Sequence, residues 1–303
     1  MTIKKAAFAA GLVGILLFSF LLAPAWAADL ETTRAQATPG FWKVDGKNNS
    51  MWLLGSVHVL TESHYPLAQE VEEAFKNSPH LVVETDVESM EPEAMQQIMF
   101  NAGMLTDGRS LRDVLGRQRY ERASELAAAN GYHLESLNML RPWVVALVFS
   151  AAEFEKMGYS PEHGVDSYFL NRAGDGHKTV VELESFADQV KLFEVLEEEL
   201  QVALMMQTLE EMQDMEEQIS ALMGAWEAGD TDMLEQVLLE SFADYPLLYE
   251  QLVTDRNHQW LTDLADMLTR DEDYFVVVGA LHLVGENSVV NLLRNEGYTV
   301  TRQ

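Results

Sequence analysis

The sequence predicts an α/β fold: a central, mostly parallel sheet flanked by helices, with a large helical insertion between sheet strands. Three observations carry this. Short all-apolar runs such as Leu81-Val82-Val83, Val180-Val181 and Tyr274 to Val278 lack the polar alternation of a half-exposed strand, as strands covered on both faces do. Long stretches at helical spacing separate these runs. The runs also stop at chemically capable residues, and two stop alike. One reads Leu53-Leu54-Gly55-Ser56-Val57-His58-Val59-Leu60; the other reads Val277-Val278-Gly279-Ala280-Leu281-His282-Leu283-Val284-Gly285.

In chain order, Lys4 and Lys5 precede an apolar run from Ala6 to Leu22, and Ala25-Trp26-Ala27 fits a small-x-small cleavage site. Residues 1–27 are expected to be a signal peptide cut after Ala27, giving a periplasmic or secreted protein with no stable membrane anchor after cleavage. An uncleaved anchor is the alternative, with a run near the lower limit for spanning. Residues 28–40 are polar and aperiodic, a flexible lead-in, and 41–303 form one domain. Phe41 to Val44, Asp45-Gly46 and Met51 to Val57 read as a β-hairpin, with Asp-Gly as its turn. Pro66 to Lys76 is a helix with proline in its first turn, and Leu81-Val82-Val83 is a strand. Pro92 to Ala102, Leu111 to Leu115, Tyr120 to Ala129, Pro142 to Lys156 and Val165 to Ala173 are helices, and Thr179-Val180-Val181 is a strand. Ala187 to about Ala225 is a long helical stretch whose methionines fill core positions. Asp230 or Thr231 caps the next helix, and Pro246 to Leu268 gives one or two more. Tyr274 to Val278 is a central strand, Glu286 to Asn295 a helix, and Tyr298 to Thr301 a last strand.

Composition narrows the function. The chain has 49 acidic and 20 basic residues; without Lys4 and Lys5 the balance is 18 against 49, a net of −31. Such a surface repels phosphate backbones and anionic membranes, so no nucleic acid is expected as a partner. There is no cysteine, which excludes disulfides and thiolate ligands, so a metal site would use His, Asp or Glu. Gly-x-Ser-x-Gly, His-Glu-x-x-His, Gly-x-x-x-x-Gly-Lys-Ser/Thr and Gly-x-Gly-x-x-Gly are all absent.

The chemistry-bearing residues stand at strand ends: His58, Glu84, Glu182 or Glu184, and His282. In open α/β sheets, ligands bind beyond the carboxyl ends of the strands. Two imidazoles with carboxylates suffice for a divalent metal with open water positions, and a spare carboxylate serves as base. A histidine after a strand is commonly a structural hydrogen-bonding group; the shared Gly-x-x-His frame argues for more. Glu182 and Glu184 share a face of an extended strand. Asp166, after Gly164-Val165, is either a helix cap or a site residue. Arg256-Asn257 and Arg141-Pro142-Trp143 are candidate rim residues, with Arg256 either binding substrate or forming a salt bridge. His64, His80, His133, His163, His177 and His258 lack such a frame and read as surface or packing residues.

These pieces together resemble the TraB/PrgY/GumN family, which includes the Tiki-type metalloproteases. The resemblance runs through Leu54-Gly55-Ser56-Val57-His58, Leu81-Val82-Val83-Glu84-Thr85-Asp86, Arg141-Pro142-Trp143, Gly164-Val165-Asp166, Glu182-Leu183-Glu184-Ser185, Arg256-Asn257 and Val278-Gly279-Ala280-Leu281-His282, in that order. It covers essentially all of the chain from Phe41 onward. Ser56 stands where Thr is commoner. The resemblance implies an α/β core and a site built from both Gly-x-x-His motifs and a Glu. Its Tiki-type members are manganese- or cobalt-dependent peptidases, and by resemblance His58, Glu84 and His282 map onto the metal or catalytic set. Resemblance and residue chemistry together lead to the expectation of a metal-dependent hydrolase, most simply a peptidase, with Mn, Co or Zn as its divalent metal and a peptide or protein as its substrate. The expected metal set is His58, His282, Glu84 and Asp166. Glu84, Glu184 and Arg256 are expected to act in catalysis, Arg256 by steadying the substrate carbonyl or its oxyanion. A non-catalytic periplasmic binding protein that sequesters a peptide, haem or metal ion is the alternative.

Overall fold

A computed structural model describes residues 39–243 and 245–303. The expected signal peptide and most of the expected lead-in lie outside the described residues.

Six strands form one sheet in the order β4-β3-β5-β2-β1-β6. They are β1 (Phe41–Asp45), β2 (Ser50–Ser56), β3 (His80–Val83), β4 (Thr179–Glu182), β5 (Tyr274–Gly279) and β6 (Thr299–Arg302). The four strands β4, β3, β5 and β2 are mutually parallel, and β1 runs antiparallel to β2 and β6. The β1–β2 pair is the expected hairpin. At its turn, Gly46 donates to Asn49 O at 3.0 Å, and a Cβ on Gly46 would lie 2.7 Å from Leu268 O.

Both sheet faces are apolar, which is why the strands read as continuous runs. Leu54, Leu81, Val83, Phe275 and Val277 point into one core, and Leu53, Val82, Tyr274, Val276 and Val278 into the other. The first core is closed by α1 (Gln69–Asn77) through Val71 and Phe75, and by the helices that follow β3 and β4. Those after β3 are α2 (Pro92–Gly103), α3 (Leu111–Ala129), α4 (Pro142–Lys156) and α5 (Val165–Asp175). After β4 come α6 (Phe186–Glu194), α7 (Glu198–Glu211), α8 (Met215–Glu227), α9 (Thr231–Ser241) and α10 (Pro246–Tyr249), and then α11 (Asp255–Met267), which belongs to the other face. The second core is closed by Trp260, Leu264 and Met267 of α11 and by Val289, Val290 and Leu293 of α12 (Val289–Asn295). The helical insertion therefore enters at two crossovers of a parallel sheet.

The helices expected at Leu111–Leu115 and Tyr120–Ala129 are the two arms of α3, separated by a kink at Gly116, whose φ of 70° is readily reached by glycine. One local expectation changes. The single stretch expected from Ala187 to Ala225 is three helices. Its breaks carry no glycine or proline, and Leu196 and Met212 within them are buried. Between α10 and α11 the chain makes a π turn, Glu250–Thr254.

Candidate active site

The parallel register puts the two repeated motifs side by side. Leu54 pairs with Val277, Gly55 with Val278 and Ser56 with Gly279. The next strand out from β5 is β3, which leads into Glu84; β4 then leads to Glu184, with Glu184 N bonding Glu84 O at 3.0 Å. The four adjacent parallel strands thus deliver Glu184, Glu84, His282 and His58 to one rim.

Glycines permit the approach. A Cβ on Gly55 would lie 3.2 Å from Ala280 Cα. One on Gly279 would lie 3.2 Å from Glu84 Oε1, 3.6 Å from His282 Cδ2 and 3.7 Å from His58 Nε2. The three side chains thus converge over Gly279. Gly164 has the strictest demand, because a Cβ there would overlap the carbonyl of His58. That contact, with Val165 N donating to Val57 O at 3.1 Å, lays the start of α5 against the first motif and brings Asp166 to His58.

The two imidazoles are held by different partners. His58 Nδ1 lies 2.7 Å from Asp166 Oδ2, and Asp166 Oδ1 accepts from Ser56 Oγ at 3.2 Å. His58 Nε2 is buried and makes no hydrogen bond. Burial by itself lowers the His58 pKa, but the charge and hydrogen bond of Asp166, with Glu84 behind them, outweigh it and hold the ring above its ordinary value. His282 Nδ1 lies 2.6 Å from Asn257 Oδ1, which can only accept, so Nδ1 carries the proton. Its Nε2 faces Arg256 Nη1 at 3.0 Å and accepts from it. Burial, with the Arg256 charge beside it, lowers His282 to about 3 and keeps it neutral.

Arg256 is the centre of the cluster. Its Nη2 donates to Glu84 Oε2 at 2.5 Å and to Glu184 Oε1; its Nε donates to Glu184 Oε2 at 3.1 Å. Nη1 donates to Leu252 O at 2.9 Å and to His282. All five N–H groups are engaged, and the guanidinium lies over Trp260 with 4.8 Å from Cζ to the ring centroid. The π turn immediately before α11 sets this register, and consecutive Arg256 and Asn257 are both buried. Burial alone raises the pKa of Glu84, but Arg256, the imidazoles and the Gly279 N–H, 2.7 Å from Oε1, bring it down to about 2. Glu184 is pushed up by burial, with the Glu84 charge adding to this against the pull of Arg256.

The structure therefore brings His58, Glu84, Asp166, Glu184, Arg256 and His282 into one cluster. Glu182 lies outside it, accepting from Asp86 N at 3.0 Å on an exposed edge. Arg141 starts α4, and Trp143 is core, stacked on Phe193 of α6 at 5.7 Å. Two members escaped the sequence reading. Gln189 Nε2 donates to Glu84 Oε2 at 3.2 Å and Glu184 Oε1 at 2.9 Å, tying the two carboxylates together. Trp260 packs on His282, with ring centroids 4.4 Å apart. The Ser185-x-x-Asp188 capping box could have located Gln189, because it starts α6 just after Glu184.

The donor set does not fit the expected metal as it stands. The lone pair of His282 Nε2, both oxygens of Glu184 and one of Glu84 already face the guanidinium. Asp166 is engaged with His58 and Ser56. Among the described residues no group of three or more His, Asp or Glu is arranged to hold a metal ion. The oxyanion role expected for Arg256 finds no free N–H on it.

The model of the TraB/PrgY/gumN family matches residues 40–302. The chain belongs to this family. It is 26% identical over 247 residues to the uncharacterized protein YbaP of Escherichia coli K12, spanning 82% of this chain and 89% of that one. An uncharacterized protein of Treponema pallidum is 20% identical over 268 residues, 84% of this chain and 80% of that one. A metalloprotease TIKI homolog of Amphimedon queenslandica is 33% identical over 78 residues, 25% of this chain and 13% of that one. No solved structure matches.

Proposed function

We propose that this family member is a hydrolase acting on peptides or proteins, in which His58 accepts a proton from the attacking water. The observation that carries the reading is the His58 Nε2 atom, buried and unpartnered above Gly279 while Nδ1 is anchored on Asp166. A neutral ring in this orientation has its lone pair on Nε2, and a carboxylate behind it stabilises the imidazolium that forms. Glu84 and Glu184 stay in place through Arg256 and Gln189, so a negatively charged wall faces the developing imidazolium. The partial similarity to a TIKI-type metalloprotease supports peptide bonds as the target class. Export with cleavage after Ala27 is part of the proposal, supported by the Lys4-Lys5 and Ala25-Trp26-Ala27 pattern. Among the described residues no helix is long and apolar enough to cross a membrane.

A second reading keeps the divalent metal, with His58, His282 and Glu84 as ligands. It is favoured by one observation: both imidazoles are fixed through Nδ1 by an oxygen, with Nε2 turned inward, as ligating histidines commonly are. It requires Arg256 to withdraw from His282. When bound, such a metal would supply Lewis acidity and a more acidic water.

Hydrolysis of a mixed peptide library by the purified protein, with and without excess chelator, separates the two. Activity that survives chelation and disappears in His58→Ala supports the first reading. Activity lost to chelator and restored by Mn, Co or Zn supports the second. No cleavage by the wild-type protein under either condition sinks both and leaves the binding-protein alternative.

A further inference from the structure

We propose that Arg256 is the resident cation of this site. Its guanidinium takes the place of a divalent metal and excludes one, and its removal uncovers a metal site made by Glu84, Glu184 and His282. The inference rests on the reading in which His58 works without a metal. It adds what fills the place and which donors lie around it.

The donor set is the first observation. Arg256 Nη2 lies 2.5 Å from Glu84 Oε2, Nη2 and Nε together grip Glu184, and Nη1 lies 3.0 Å from His282 Nε2. Two carboxylates and a neutral imidazole nitrogen are a set that suits Zn²⁺ or Mn²⁺. Here each gives to the guanidinium a lone pair that a metal would need. The same donors are also fixed by bonds that do not involve Arg256. Gly279 N donates to Glu84 Oε1 at 2.7 Å, and Gln189 Nε2 donates to Glu84 Oε2 at 3.2 Å and to Glu184 Oε1 at 2.9 Å. His282 Nδ1 donates to Asn257 Oδ1 at 2.6 Å. Outer bonds of this kind orient metal ligands, so the set stays assembled when the guanidinium is taken away. Asp166 is outside it, engaged with His58 and Ser56.

The second observation is that Arg256 has nowhere to go. It is 4% exposed, and all five of its N–H groups are used. One holds Leu252 O at 2.9 Å, inside the π turn Glu250–Thr254, and the guanidinium lies over Trp260. Withdrawal would strand these acceptors away from water and leave two buried carboxylates uncompensated. Among the described residues no other Lys or Arg pairs with Glu84 or Glu184. A metal arriving beside Arg256 would meet a like charge and occupied lone pairs. The fold therefore carries its own counter-ion in the chain.

The test uses the full chain, stripped with chelator and dialysed, then titrated with Zn²⁺ or Mn²⁺ by calorimetry and followed by thermal unfolding. Arg256→Ala should bind one equivalent about a hundredfold or more tighter than wild type, because a like charge has left the site. Its Tm should rise with added metal while that of wild type does not. Adding Glu184→Gln or His282→Ala to Arg256→Ala should abolish the gain, which separates this site from metal held by surface acids. Arg256→Lys, which keeps a positive charge, should show no gain. If Arg256→Ala is unfolded after chelation, metal should restore its native tryptophan fluorescence; failure to do so overturns the inference. It is also overturned if Arg256→Ala binds no better than wild type, or if Arg256→Lys gains as much as Arg256→Ala. One equivalent held by wild type and lost in Glu184→Gln or His282→Ala overturns it too, and peptide cleavage by that metal-loaded form leaves the hydrolase class standing. No cleavage by any form, beside a metal gain confined to Arg256→Ala, fails the hydrolase reading and upholds Arg256 as the resident cation.

Discussion

Arg256 is the member of the cluster whose removal should cost the fold most. In Arg256→Leu, two buried carboxylates, Glu84 and Glu184, lose their shared counter-ion, His282 Nε2 loses its donor, and Leu252 O loses its partner. Arg256 and Glu84 are 4% and 3% exposed, so water does not replace the lost bonds. Breaking a buried pair by removing one partner costs about 3–5 kcal/mol. Glu184, already pushed up by burial, takes a proton first and holds the cost within that range. A domain of this size shifts by roughly 2–4 °C per kcal/mol, so Tm should fall by roughly 6–20 °C. Urea unfolding followed by tryptophan fluorescence at pH 7.5 measures the free energy directly. The pH dependence carries a sign. In the wild type the Glu84 pKa is depressed to about 2, so its contribution is present above the ordinary carboxylate range and is lost as pH falls toward 2. In the variant, burial without a cation raises both carboxylates. Their folded form then takes up protons more readily, and the variant gains stability as pH falls through 6 to 4. The gap between the two proteins should therefore narrow on acidification, and adding Glu184→Gln should recover part of the loss at pH 7.5. A variant as stable as wild type at pH 7.5, or a gap independent of pH, would refute the assignment of Arg256 as the buried counter-ion.

Asp166→Asn should lower the hydrolytic rate by about 10²-fold or more. It should also move the acid limb of the pH–rate profile to lower pH, because the base works deprotonated and burial then dominates the His58 pKa; an unmoved limb removes His58 as the titrating base. Gly164→Ala should destabilise by about 1–3 kcal/mol through overlap with the His58 carbonyl, read by urea titration. By ¹⁵N NMR, His282 should remain neutral, with its proton on Nδ1, from pH 8 down to 5. A His282 resonance titrating near 6.5 contradicts the arrangement around Asn257.

The strand-end positions of the site residues were legible in the sequence because they follow from local features. A buried strand shows as an apolar run, and its end names the residue it delivers; that these ends share one rim follows from the parallel pairing of β2, β5, β3 and β4. His58, Glu84, Glu184 and His282 were found in this way, while Asp166 and Arg256 stood as candidates whose alternatives were a helix cap and a plain salt bridge. Their individual tasks were not legible. Nothing local to Asp166 distinguishes a metal ligand from an orienting carboxylate; it is the docking of α5 through Gly164 that sets its Oδ2 against His58 Nδ1. The capping box at Ser185 marks the helix that holds Gln189, but its bonds to Glu84 and Glu184 arise only once that helix meets the residues after β3 and β4.

The sequence by itself determined a two-faced, mostly parallel sheet, two glycine-led histidines at strand ends and an acidic surface, since periodicity, strand termini and charge are properties of short segments; that the two histidine-bearing strands are neighbours came from the pairing of β2 with β5. Only the tertiary structure decided that a guanidinium from α11 occupies the space between the carboxylates and one imidazole. It also decided that an amide fixes one ring and a carboxylate the other. Those bonds join residues as far as 172 positions apart, Arg256 to Glu84. Hydrogen bonds and buried charge depend on which groups meet, and that is fixed by packing.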